Sequence, residues 1–219
     1  MSDSLTKVKG TAQKLKVFPL PTLVLLPGGA MPLHIFEPRY RALVKDALAT
    51  DGVFAIAGIL PGFENDLQGS PPLEPICCAG TISLNEEMED GHYNLVLVGV
   101  TRARIVNELP HTKLYREVEV ELLPDGDVKP DEDVYLKTAL MELIARVPQD
   151  VGQKLAQVAS RTNGGALADL LTGAVIGDVA RRYEVLNELD IPERIRRVTD
   201  DVMSIVSQLR PKKHEGLLN

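Results

Sequence analysis

His34, Glu37 and Arg39 fall within six residues of one another in FPLPTLVLLPGGAMPLHIFEPRYRALVKDAL, residues 18–48. Together they offer a proton acceptor, a carboxylate and a permanent cation. A nucleophile to complete such a set exists elsewhere, in the adjacent pair Cys77-Cys78. Cys78 activated by His34, with Glu37 orienting the imidazole, would be a hydrolytic arrangement. It requires two distant segments to converge, and nothing around the cysteines marks an oxyanion site. The Gly-x-Ser-x-Gly elbow of serine hydrolases is absent. The set also has a purely structural reading. Glu37 then caps a helix opening at Pro38, His34 bonds to a turn, and Arg39 pairs with a surface acid. A third reading makes the three residues a polar rim around an apolar groove that orients an extended peptide.

Other chemistries lack their residues. No Gly-x-x-x-x-Gly-Lys-Ser/Thr loop is present to cradle a nucleotide, and GAVIG at 173–177 has no following lysine. His34, His92, His111 and His214 are dispersed, and none has the helical i, i+4 spacing that holds zinc. Cys77-Cys78 matches neither a zinc knuckle nor a redox pair, and adjacent cysteines make a strained disulfide. Their apolar context reads as small core residues. No metal, cofactor or catalytic residue is expected.

The elements that must position these residues follow from pattern. Short apolar runs bounded by prolines, Lys16 to Leu20 and Leu23 to Leu26, suit edge strands. Pro27-Gly28-Gly29 is a turn, and Met31 to Phe36 a further extended piece. Pro38 opens a helix whose Tyr40, Leu43, Val44, Ala47 and Leu48 share one stripe, ending at Asp51-Gly52. Val53 to Leu60 reads as a buried strand, Pro61 to Pro75 as a long loop, and Ile76 to Leu84 as a strand. Asp90-Gly91 signals a hairpin into Tyr93 to Val98. Val100 to Val106 and Tyr115 to Leu122 follow as two more strands. In the last, Val118, Val120 and Leu122 alternate with Glu117, Glu119 and Glu121, as in a sheet with one wet face.

After Pro124 the period becomes helical. Val134, Leu136, Leu140, Leu143, Ile144 and Val147 form a stripe stopping at Pro148. Helices are expected over Val151 to Ser160, Ala166 to Val175 and Asp178 to Leu189. Asp190-Ile191-Pro192-Glu193 fits a capping box. Ile195, Val198, Val202, Ile205, Val206 and Leu209 then line one face of a last helix. The fold class is α+β. Residues 1–13 are expected to be disordered, 14–123 β-rich, 124–210 a helical bundle, and 211–219 a tail.

Composition narrows the function classes. Net charge is −7 with a sequence pI near 5.2, and no Lys or Arg occurs from Asp51 to Leu95, which argues against nucleic acid. No signal core and no apolar run of membrane-spanning length is present, so a cytoplasmic protein without a membrane partner is expected.

The order of motifs resembles a known family. FPLPTLVLLPGGAMPLHIFEPRYRALVKDAL looks like the opening signature of the Lon protease N-terminal, substrate-binding domain, especially stand-alone bacterial members carrying PLHIFEPRYR. Ala79-Gly80-Thr81-Ile82, then Asp90-Gly91 and Val98 to Ile105, are similar to its Gly-Thr and Gly-x-x-Arg strands. ALADLLTGAVI followed by VLNELDIPERI resembles its helical tail. The matches span about residues 15–210. The resemblance implies a PUA-like pseudo-barrel followed by a helical bundle, and contact with a protein or peptide substrate. No ATPase loop or Ser–Lys dyad region lies within these residues, so it implies recognition and not proteolysis. The expected contact residues are Met31, Leu33, His34, Phe36, Glu37, Arg39, Tyr40, Gly80 and Thr81. Two alternatives are a small-molecule or hydrolytic site in a cleft between the halves and, because PUA-like folds often bind RNA, an RNA module.

Overall fold

A computed structural model describes residues 14–65, 69–127, 129 and 131–209. The expectations of disorder over 1–13 and of a tail at 211–219 lie outside the described residues. The chain forms two compact units, residues 1–125 with 177–189, and residues 126–176 with 190–219.

The first unit holds six strands: β1 (Leu15–Leu20), β2 (Ala30–Ile35), β3 (Val53–Gly58), β4 (Ile76–Glu87), β5 (Tyr93–Glu108) and β6 (Arg116–Leu123). Strand β1 pairs parallel with β3 and antiparallel with β6. Antiparallel pairings β3–β4, β4–β5 and β5–β6 complete a ring. Five strands thus close on themselves, which removes their edges, and β2 hangs on β5 outside the ring. A narrow barrel has room only for small side chains. Its interior accordingly packs Ala55, Ala57, Cys77, Ala79 and Ala103 with Val17, Val53, Val118 and Val120. The cysteines are core residues, as their context suggested. Burial pushes the Cys77 thiol up to about 12.

Three details depart from the sequence reading. Leu23 to Leu26 is irregular, not a strand. Its three last side chains are buried, and Pro21 and Pro27 at its ends have no N–H to give a ladder. The two strands expected at 93–98 and 100–106 are one. Gly99 does not stop β5; it lets the turn approach. A Cβ there would lie 2.2 Å from the Leu26 carbonyl oxygen, and Gly99 exchanges backbone bonds with Gly28 and Gly29 at 2.9 and 2.8 Å. Glu117, expected on the wet face with Glu119 and Glu121, is buried and paired with Lys14 at 3.1 Å.

Helix α1 (Pro38–Leu48) buries Tyr40, Leu43, Val44 and Ala47, four of the five expected stripe residues. The first unit also contains α5 (Val179–Asn187), N-capped by Asp178, which accepts from the Arg181 N–H at 2.9 Å. An uninterrupted helical body over 124–210 was expected, but this helix packs on the barrel unit. The reason is Arg102, 1 % exposed in the middle of β5. Its guanidinium donates to the carbonyls of Leu186 (2.9 Å) and Val185 (3.2 Å) at the end of α5, where the Val185 oxygen also accepts from the Glu188 N–H at 3.3 Å. The Tyr183 hydroxyl lies 3.4 Å from the Leu23 carbonyl oxygen. Gly58 makes room for its ring, since a Cβ there would sit 2.2 Å from that hydroxyl.

The second unit contains α2 (Val134–Ile144), α3 (Gln149–Ala159), α4 (Gly164–Val175) and α6 (Ile191–Gln208). Leu136, Leu140 and Leu143 of α2, Leu167 and Leu171 of α4, and Ile195, Val198, Val202 and Val206 of α6 are buried, as their spacing anticipates. Val134 is 45 % exposed and so stands outside its expected stripe. Asp190 caps α6 by accepting from the Glu193 N–H at 2.9 Å. Asp133 caps α4 across the unit, accepting from Gly164 N–H at 2.7 Å. Arg194 and Asp169 form a fully buried ion pair at 3.5 Å.

Candidate recognition site

Alternation along β2 sorts the residues singled out from the sequence. Met31 and Ile35 point inward and are buried, while Pro32 and His34 point outward. Met31 is therefore core and is withdrawn from a partner. So is Tyr40, whose ring packs on Phe18 with centroids 4.0 Å apart. Gly80 and Thr81 are also buried. Gly80 is needed for packing rather than contact, because a Cβ would meet Leu97 Cγ at 2.9 Å. Leu33 is half-buried, and Phe36 is 56 % exposed, which makes it surface and not core.

Glu37 occupies the N-cap position of α1 but makes no capping bond. Its carboxylate instead accepts from Arg39 Nε at 2.9 Å. Arg39 lies over the Tyr40 ring, 4.5 Å from its centroid. His34 Nδ1 is 2.8 Å from Asn94 Oδ1 on β5.

Register places His34 and Cys78 far apart. His34 is opposite Asn94, whereas Cys78 is opposite Arg102, eight residues further along β5. At ~3.3 Å per residue that is roughly 26 Å. Cys78 is also fully buried. The structure does not bring His34, Glu37 and Cys78 together. Among the described residues no cluster of three or more His, Cys, Asp or Glu could hold a metal ion. No helix of theirs is long and apolar enough to cross a membrane.

What the strands do assemble is a face. The register aligns Pro32–Val96–Leu84 in one row across β2, β5 and β4, and His34–Asn94–Glu86 in the next. Beyond them Phe36, His92 and Met88 form a third group. The His34 ring is 6.1 Å from Phe36 and 5.6 Å from His92. The Asn94 amide lies 3.5 Å from Met88 Sδ. Leu84 is 68 % exposed and Met88 39 %, so with Phe36 three large apolar side chains stand in water on one sheet face. Between β2 and the end of β4 the face sinks into a groove of about 580 Å³ lined by Pro32, Leu33, His34, Leu84, Glu86 and Val96.

Strand β2 also has a free edge: no further strand pairs with it among the described residues. Pro32 has no N–H, so its backbone suits the side away from β5. Ala30 and His34 share that side by the two-residue period, leaving their N–H groups outward.

Leu84, Met88, His92 and Asn94 were not singled out from the sequence. The available signal was the alternation in SLNEEMED, which puts Leu84 and Met88 on the same side as Glu86.

A second, smaller cavity of about 290 Å³ lies beside Pro19 of β1, lined by Arg39, Tyr40, His111, Tyr115 and Arg116. Arg116 is clamped on Glu108 by two 2.6 Å bonds, and its third nitrogen donates to the Pro71 carbonyl at 2.7 Å. Hydrogen bonds from Arg116 hold the Glu108 carboxyl below the usual range.

Comparison with known proteins places the chain. Residues 14–202 match the family described as the ATP-dependent protease La (LON) substrate-binding domain. Lon protease 2 of Myxococcus xanthus is 28 % identical over 193 residues, covering 86 % of this chain and 23 % of that protein. Lon protease 4 of Sorangium cellulosum is 30 % identical over 186 residues, covering 83 % and 22 %. The chain thus spans about a quarter of the length of the curated relatives it matches. Among solved structures, the N-terminal domain of a Mycobacterium avium complex Lon protease superposes with a TM-score of 0.69 at 20 % identity, covering 87 % of this chain and 98 % of that one. A Lon N-terminal domain protein from Xanthomonas campestris gives 0.62 at 22 % identity, covering 85 % and 97 %. These two likenesses establish a shared fold, and the match over residues 14–202 establishes the lineage: the chain belongs to the Lon substrate-binding domain family.

Proposed function

We propose that this chain is a non-catalytic module that recognises exposed apolar or extended segments of other proteins, using the outer face of β2, β5 and β4 and the free edge of β2. The observation that carries the reading is the exposure of Phe36, Leu84 and Met88 together on one sheet face beside an unpaired strand. An extended segment can add its backbone to such an edge and set alternate side chains on the face. Each large apolar side chain buried contributes about 1.5–3 kcal/mol. Association costs several kcal/mol, so one face of this size corresponds to a Kd on the order of tens of micromolar. Family membership supports the reading, since the matched domain is described as substrate-binding. The chain contains no tryptophan, so the emission of a Trp-bearing, permanently unfolded model protein reports binding without background. Saturable binding that Phe36→Ala weakens is the expected result; a flat titration to several hundred micromolar would refute the reading.

One observation favours a second, small-molecule reading. Tyr40 lines the smaller cavity with Arg39 and Arg116, and burial pushes its phenol above the ordinary value. A small carboxylate or phosphate would meet donors there. A thermal-shift series with those anions, absent in Tyr40→Phe, tests it.

A further inference from the structure

The recognition face is not uniformly apolar, and the order of its rows is informative. Moving along β5, the row Pro32–Val96–Leu84 is apolar, the row His34–Asn94–Glu86 is polar, and beyond it the exposed apolar side chains of Phe36 and Met88 flank His92. Successive rows are two residues apart on each strand, so they are spaced by about 6.6 Å. The middle row ends in a carboxylate. Glu86 is exposed and forms no ion pair among the described residues, and neither does the nearby Glu89. Asp90 is engaged by His92 at 3.1 Å. Arg41, on α1, is the nearby cation; it approaches Gly91, and its charge acts with Glu87 on Tyr93, away from Glu86. No Lys or Arg occurs from residue 51 to 95, so β4 and its turn present acidic charge without an internal counter-ion.

An extended chain laid along β5 has the same two-residue period as the rows beneath it. Its residues i, i+2 and i+4 therefore meet apolar, acidic and apolar ground in turn. Resting on the recognition reading above, we infer that the face selects extended segments of the pattern apolar-x-basic-x-apolar, with Lys or Arg of the ligand over Glu86 and apolar side chains against Leu84 and Phe36. Charge complementarity decides the middle position, and hydrophobic burial decides the outer two. An acidic residue at the centre is rejected by like charge, which makes the site selective among segments that are equally apolar.

The test uses the full chain and four fluorescein-labelled pentapeptides that differ only at the centre: Leu-Ser-Lys-Ser-Phe, the same with Arg, with norleucine, and with Glu. Anisotropy is read at low and physiological salt. The expected order is Lys and Arg tightest and Glu weakest, with about a fivefold spread between Lys and norleucine, as for an exposed ion pair. The spread should narrow as salt rises. Glu86→Gln should remove the advantage of Lys over norleucine; Glu86→Lys should reverse the order of Lys and Glu. Glu86 is exposed on a strand, and circular dichroism of both variants confirms that they fold. Equal binding of all four peptides overturns this inference and leaves the broader recognition reading standing. Binding by none of them, with an unfolded protein also failing to bind, overturns both.

Discussion

The two halves of β5 put the same kind of strand to opposite uses. From Thr101 onward its inward side chains close a ring, and even Arg102 is buried. From Tyr93 to Val98 it lies between β2 and β4 with one face in water, under Leu84 and beside Phe36. Where the ladder closes on itself, apolar residues find partners within the chain. Where it ends in the edge strand β2, they stay outside. The difference teaches that apolar exposure follows topology: the barrel satisfies its own sheet, and the flap does not.

Four substitutions or probes test that contrast, in order of expected size. Cys77 lies in the closed half, with its thiol pushed up to about 12 by burial. At pH 8 the thiolate fraction is on the order of 10⁻⁴. The native chain should therefore resist a disulfide reagent that labels both cysteines within seconds once urea unfolds it. Rapid labelling of the native protein would mean that the ring opens. Next, Arg102→Ala should cost about 2–3 kcal/mol in urea denaturation, because it removes the buried donor to the Leu186 carbonyl and one of the two donors to Val185. A loss below 1 kcal/mol would show that α5 is not held by this contact.

The open half should behave in reverse. Phe36→Ala should shift stability by no more than about 0.5 kcal/mol while weakening peptide binding about tenfold. A large stability loss without a binding loss would make Phe36 a structural residue.

The smallest effect concerns acid. Hydrogen bonds from Arg116 hold the Glu108 carboxyl below its ordinary value. Its pKa is lower folded than unfolded, so its stabilisation is complete above about pH 4.5, the unfolded range, and fades as pH falls through the folded value. Urea midpoints at pH 7 and pH 3.5 should therefore differ less in Glu108→Gln than in the parent chain. An equal difference in both would remove Glu108 from the acid response.

Much of this organisation could be read before any coordinates. Period-3.6 patterns located six helices to within a few residues, and period-2 patterns read eight strands where six form among the described residues, since each element buries one side and the spacing of apolar residues records which. Two kinds of feature were not legible. One is long-range burial of polar groups: Arg102 looks like any strand arginine until a helix end is found above it. The other is exposure of apolar ones. Met31 and Phe36 are both large and apolar in one signature, yet one is core and the other surface, because they fall on opposite sides of the alternation along β2. Leu84 and Met88 were hidden in an acidic stretch whose charge spoke only against nucleic acid. The candidate site was thus half visible, through His34 and Phe36, and the rest depended on which strands are neighbours.

The clamp on α5 has a practical consequence for anyone dissecting the molecule. Residues 177–189 belong with 1–125, while 126–176 and 190–219 belong together. The polypeptide accordingly crosses between its two parts three times. Neither part can be cut out as one uninterrupted fragment: truncation after residue 125 leaves Arg102 without the carbonyls it serves. A workable dissection would graft the 177–189 stretch back through a short linker, or supply it as a separate peptide.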